Sequence, residues 1–156
     1  MQTDTEGWVI REINEWFFEH YLPKWQSIGN SESQNPKEIL DYWNVPMHSA
    51  SMYRNMHMNE WLKTEEAVLG HLAAVHKPLQ SSGYTHTNVV DSHTVSYHNN
   101  AASVDVIWSR CRRDNTEIER VAVHFEINRT DSGWRVISLA SAPTAKSSLK
   151  ETWRES

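Results

Sequence analysis

Everything after Gly83 is written in period two. Segments 84–97, 102–111, 118–128 and 134–142 are rich in Val, Thr, Ile, Tyr and His, with apolar and polar positions alternating. Between them lie HNNA, RRDNTE and RTDSG, built from the residues that tight turns use. Side chains along a strand point alternately to the two faces of its sheet. Four long strands joined by short turns therefore read as an antiparallel meander, and its apolar face needs a cover.

The cover lies in the first half of the chain. Val9, Ile10, Ile13, Trp16, Phe17, His20 and Tyr21 recur at steps of three and four, the spacing of a helix with one buried stripe, entered through Thr3, Asp4 or Thr5 and ended or kinked at Pro23. SIGNSESQ (27–34) is turn material, and Asn35-Pro36 then offers an N-cap and a first-turn proline for a short helix over Ile39, Leu40, Tyr42 and Trp43, closed by Pro46. The stretch MHSASMYRNMHM (47–58) alternates again, which makes its first half a strand. Thr64 caps a further helix with Glu65 and Glu66 in its first turn and Val68, Leu69, Leu72, Val75 and His76 on its apolar stripe; Pro78 and Gly83 are its natural stops. Helices first and strands afterwards make the fold class α+β, with about three N-terminal helices packed on the sheet. Residues 1–142 form one domain, and 143–156 a polar tail, loosely attached.

A chain of 156 residues is of ordinary single-domain size. Acidic groups outnumber basic ones 20 to 15, and the basic ones are scattered instead of gathered in a stripe, which speaks against nucleic acid and anionic membrane as partners. Cys111 is the single cysteine, so no internal disulfide forms, and MQTDTEG lacks the charged and apolar regions of a secretory signal. With no apolar run near the roughly 20 residues of a membrane helix, the expected location is cytoplasmic. Eight tryptophans and nine histidines are an unusual load. Such aromatic surface lines cores, subunit contacts or apolar cavities.

Helix, short helix, strand, helix and four long strands, with GWRV (133–136) opening the last and SVDVIWSRCRR (103–113) inside the second, resemble the nuclear-transport-factor-2-like superfamily over about residues 8–142. Its SnoaL-like polyketide cyclases, ketosteroid isomerase and limonene epoxide hydrolase share a cone-shaped fold. The resemblance implies a sheet curled around a cavity plugged by helices, a small hydrophobic molecule as ligand, and a homodimer made through the sheet's outer face. It does not fix a function, because members of the superfamily include catalysts, binders and assembly modules.

Within that frame Tyr53 and Asn55 match the Tyr-x-Asn spacing with which limonene epoxide hydrolase positions its water, and Asp105 resembles one of its carboxylates. Two residues apart on a strand, Tyr53 and Asn55 point to one side and can grip a water or a carbonyl. The rest of that relay is broken: Ser103 stands in place of its arginine and Val136 in place of its second carboxylate. Asp105, flanked by Val104, Val106 and Ile107, is either a general base with a raised pKa in an apolar cavity or a solvated, paired carboxylate. With Asp105 as base, Tyr53 is the natural donor to a developing enolate. His124, interrupting Val121–Phe125, and His48 are each a pocket acid or base, or a structural histidine. The expected pocket adds Trp108, Trp16, Phe125 and Met52. Strand parity is open at this point. Either Asp105, Ile107, Val121, Val123 and Phe125 face the cavity with Trp108 and His124 outside, or Trp108, Arg110 and His124 face it and Asp105 does not. No short-spaced ligand pair marks a metal centre and no glycine-rich loop marks a nucleotide, so neither metal nor cofactor is expected. The function expected from the residues is acid–base chemistry of isomerase, cyclase or hydrolase type on a small hydrophobic substrate. A dimeric module that binds without catalysis is the alternative.

Overall fold

The computed structural model describes residues 3–53 and 56–153, with side chains described for 7–52 and 57–153. A helix α1 (Thr3–Asn14) runs into a π-helical stretch (Glu15–Tyr21) and on into α2 (Leu22–Gly29). A 3-10 turn (Pro36–Asp41) follows, then β1 (Trp43–Tyr53), β2 (Met56–Leu62), α3 (Glu65–Ser81), β3 (Tyr84–His98), β4 (Ala101–Arg112), β5 (Glu117–Thr130), β6 (Gly133–Pro143) and a short α4 (Leu149–Thr152). The six strands form one sheet in the order β2-β1-β6-β5-β4-β3. The meander β3 to β6 is antiparallel as its turns require, whereas β1 joins β6 in parallel.

Pro23 does not end the first helix. The wide π turn in front of it routes the Leu22 amide to the Phe17 carbonyl, and Pro23 falls in the first turn of α2, where its missing N–H is no loss. Pro78 likewise stays inside α3, which stops only before Gly83 at a φ of +85°. Both expected caps form: Asn35 accepts from the Lys37 amide and Thr64 from the Ala67 amide. The exit of the 47–58 stretch is a second strand, β2, paired in register from Tyr53↔Met56 to Met47↔Leu62.

Helices and sheet meet in an aromatic pile. Val9, Ile13, Phe17 and Tyr21 carry the buried stripe, and Phe17, with no exposed surface, stacks on Trp108 at 5.8 Å and meets Phe125 edge-on at 4.9 Å. Polar ties fix the same layer: Arg129 and the Trp134 indole both donate to Glu12, Thr94 donates to Asn14, and the Asn30 amide donates to the Thr85 carbonyl. At the far side of the sheet α4 places Leu149 against Ile107, Ala122 and Val90, its amide donating to Asp91 at 2.8 Å. The α4 segment is thus tied to the sheet. Replacing Phe17 with Ala empties the centre of the pile and is expected to lower unfolding free energy by about 3–5 kcal/mol, measured by urea denaturation; a loss under about 1 kcal/mol would show the pile to be dispensable.

Candidate functional site

Between the helices and the concave face of the sheet lies a hollow. α2 and the turn before it contribute Tyr21, Leu22 and Trp25; β1 contributes Trp43 and Ser51; α3 contributes His71 and Val75. Thr87 of β3, Trp108 and Arg110 of β4, Val121, Val123 and Phe125 of β5, and Leu139 and Ser141 of β6 close it. The centre of a water-sized sphere can move through about 50 Å³ of it. This is small beside the roughly 150 Å³ of an engineered apolar cavity that holds benzene, so the hollow suits a small molecule only.

The register explains which side chains arrive there. On neighbouring strands directly opposed residues share a face, and β4 pairs with β5 as Val104↔Phe125, Asp105↔His124, Val106↔Val123 and Trp108↔Val121. Even positions of β4 therefore share the inner face with odd positions of β5. Neither parity expected from the sequence is the observed one: Trp108, Arg110, Val121, Val123 and Phe125 look inward together, and Asp105, Ile107 and His124 look outward together. The expectation that Asp105 and His124 sit at the cavity is corrected on that ground.

On the outer face His124 is held between two carboxylates, Nδ1 at 2.8 Å from Asp105 and Nε2 at 2.7 Å from Glu126. The bond to Asp105 outweighs the partial burial, and with Glu126 it raises the His124 pKa to about 9. His48 lies on the same face by register, edge-on to Trp61 at 5.2 Å, and Met52 is 53% exposed there. Trp16 packs on Tyr42 at the side of the core, outside the cavity. Of the other expected residues, the Tyr53 side chain and the whole of Asn55 lie outside the described residues. Trp108 and Phe125 line the wall.

Two wall residues escaped the sequence reading as site groups, Tyr21 and His71. The Tyr21 hydroxyl oxygen accepts the Trp43 indole N–H at 3.1 Å, and burial raises its pKa. His71 sits 6.0 Å from the Trp43 ring, centroid to centroid, and its buried Nδ1 has no hydrogen-bond partner among the described residues. Burial lowers its pKa to about 4, so the ring is neutral at pH 7. Its neighbour one turn on, His76, packs edge-on to Trp25 at 4.3 Å and is lowered to about 3, by burial first and then by Arg110. The available signal was a histidine three residues after Val68, on the buried side of α3. Arg110 donates to Glu119 at 2.7 Å and lies over the Trp25 ring at 4.6 Å. Among the described residues no group of three His, Cys, Asp or Glu side chains is placed to hold a metal ion, and no helix is long and apolar enough to cross a membrane.

These histidines set opposite pH limbs. His71 and His76 have folded pKa values below the ordinary 6.5, so their neutral forms support the fold above that pH and support is lost as pH falls below 6.5 toward 4. His124 has a folded pKa above 6.5, so its contribution is complete below 6.5 and is lost as pH rises toward 9. The melting temperature is expected to peak near neutrality and fall on both sides. In differential scanning calorimetry from pH 4 to 9.5, His124→Gln should flatten only the alkaline limb and His76→Gln only the acid limb. A His124→Gln profile parallel to the native one above pH 7 would refute the assignment.

The geometry agrees with known folds. A solved NTF2-like protein with a cystatin-like fold from Novosphingobium aromaticivorans is 17% identical and matches 87% of this chain and 82% of its own, with a TM-score of 0.60. A putative calcium/calmodulin dependent protein kinase II association domain from Xanthomonas campestris is 11% identical, with 87% and 88% covered and a TM-score of 0.60. The yeast UBP3-associated protein BRE5 is 5% identical, with 81% and 92% covered and a TM-score of 0.57. Identities this low show the fold alone. No curated protein matches the chain. The profile of a family described as NTF2-like protein (DUF6841) matches residues 11–144. With its helices laid on a curved, mostly antiparallel six-stranded sheet and that profile spanning most of its length, this chain belongs to the NTF2-like proteins of that family.

Proposed function

We propose that the protein takes a small, flat, mostly apolar molecule into the cavity between α2, α3 and the sheet, and acts on it by proton transfer with His71. The observation that carries the reading is His71 itself: a neutral imidazole in the wall, with a buried nitrogen that has no hydrogen-bond partner among the described residues. Unsatisfied buried polar atoms are uncommon in native structures, and at pH 7 the His71 ring is in its neutral, proton-accepting form, with its basicity lowered by burial. Apolar walls with a few converging polar groups are how small-molecule sites are built. This keeps the SnoaL-like acid–base chemistry expected from the sequence and moves it from Asp105 and His124 to the helical side of the cavity.

A screen of small ring compounds, followed through the indole N–H resonances of Trp25, Trp43 and Trp108, tests the binding part. Ser141→Trp fills the hollow and should abolish binding, whereas Asp105→Asn, on the opposite face, should leave affinity within about twofold. For a bound ketone, solvent deuterium should enter next to the carbonyl, and His71→Gln should slow that exchange about 100-fold while binding persists. Equal exchange in wild type and His71→Gln would remove His71 from the chemistry.

A specific observation also supports a partner reading. Trp61 and Met52 are 54% and 53% exposed on the outer face, beside His48, at the place where the resemblance puts a second copy. Isolated exposed apolar residues are ordinary, but several large ones on one sheet face suit a contact surface. We propose a homodimer through this face. Sedimentation velocity should show a dimer that Trp61→Glu converts to monomer; a native protein that sediments as a monomer at 100 μM, a concentration of about the right order for a weak complex, overturns the reading.

A further inference from the structure

We infer that the Tyr21 hydroxyl is the anchor of this cavity, donating a hydrogen bond to an acceptor oxygen on an uncharged compound of about one ring. The inference rests on the small-molecule reading above and names the ligand class that reading leaves open.

The direction of the bond at Tyr21 settles what the hydroxyl has to give. An indole N–H only donates, so the Trp43 contact at 3.1 Å uses Tyr21 as acceptor and leaves the phenolic hydrogen to go elsewhere. Among the described residues no acceptor receives it: the Trp43 contact is the only hydrogen bond the Tyr21 side chain makes there. Tyr21 is 2% exposed and forms part of the cavity wall, so bulk water does not serve it either. A hydroxyl that already accepts a bond is a polarised and better donor. With its ionisation opposed by burial, it remains a donor across the physiological range.

Shape and charge narrow what it can receive. The Tyr21 ring stands at a steep angle to Phe125, 5.7 Å away, and these walls with Trp108 and Trp43 present flat apolar surfaces to an occupant. The free space, about 50 Å³, is small, so a single ring is the upper size for an occupant and a fused polycycle is too large. Arg110, the cationic residue in the wall, is already ion-paired with Glu119 with both side chains mostly buried, and His71 is neutral. An anionic ligand would therefore lose its hydration without gaining an uncommitted cation in the described wall, whereas a neutral carbonyl loses little. Ketones, lactones and amides on a single ring share the required chemistry.

The test is titration calorimetry with three matched probes: acetophenone, which carries the oxygen; ethylbenzene, which lacks it; and benzoate, which carries it as an anion. Wild type should bind acetophenone about tenfold more tightly than either other probe, the equivalent of one ordinary hydrogen bond. Tyr21→Phe should erase the advantage over ethylbenzene and leave ethylbenzene unchanged. Trp43→Phe, which removes the orienting N–H together with part of the ring, should reduce that advantage without erasing it, and ethylbenzene affinity read in both variants reports any change in packing. Acetophenone and ethylbenzene binding equally to wild type, or acetophenone unaffected by Tyr21→Phe, overturns the anchor while the cavity reading survives. Benzoate binding most tightly overturns the uncharged class. No binding of any probe overturns the anchor and the cavity reading together.

Discussion

The opposition of even positions on β4 to odd positions on β5 decides almost everything else in the molecule. It brings Trp108, Val121, Val123 and Phe125 onto one concave surface, and Phe17 then has two large rings to settle between. A one-residue slip of β4 against β5 would send Asp105 beneath the helices and turn Trp108 out to solvent while His124 stayed on the outer face. The alternation of polar and apolar residues on both strands makes that slip costly. The turn Asp114–Asn115, with Asn115 at a positive φ of 69°, holds the register at one end, and Arg110 to Glu119 ties it across the pair.

The same side chain meets opposite fates on the two faces. His71 and His76, packed under the helices against Trp43 and Trp25, lose their charge because no carboxylate is at hand and desolvation prevails. His124, still one-third exposed, keeps its charge because Asp105 and Glu126 stand at both ring nitrogens. The inner face therefore holds neutral imidazoles beside the Arg110–Glu119 ion pair, and the outer face carries an imidazolium within an acidic frame. On the outer face the His124 proton is held in place by its two neighbours and is poorly suited to transfer.

Fold class and element order were legible because they depend on local periodicity. Val9, Ile13, Phe17 and Tyr21 repeat every four residues, and the four late strands alternate without interruption. The site was less legible, for three physical reasons. Strand parity relative to the helices depends on register, which couples residues 104–108 to residues 121–125 and cannot be read from either strand alone. The two prolines in helices, Pro23 and Pro78, were read as stops, yet a π turn in the first case and a late helix position in the second accommodate them. Attention also fell on the strands, where carboxylates and histidines interrupt apolar runs visibly. Tyr21 and His71 lie on helix stripes, where a tyrosine or histidine looks like one more core residue until its hydrogen bonds are counted.

A hollow persists in this core because its walls cannot fall into it. Interiors normally close to the density of organic crystals, and the space here is bounded by side chains that are each fastened backward. Trp43 is tied to Tyr21 by its indole N–H, Ser51 to Ser49 at 2.7 Å, and Arg110 to Glu119 while lying flat on Trp25. Large rings have few rotamers with which to fill a gap, and Phe17 already packs against both Trp108 and Phe125 from the other side. Collapse would break these bonds in a dry setting, where an unpaired polar group is most expensive. The cavity is consequently formed before any ligand arrives, so an occupant does not have to open it and its contacts add directly to affinity.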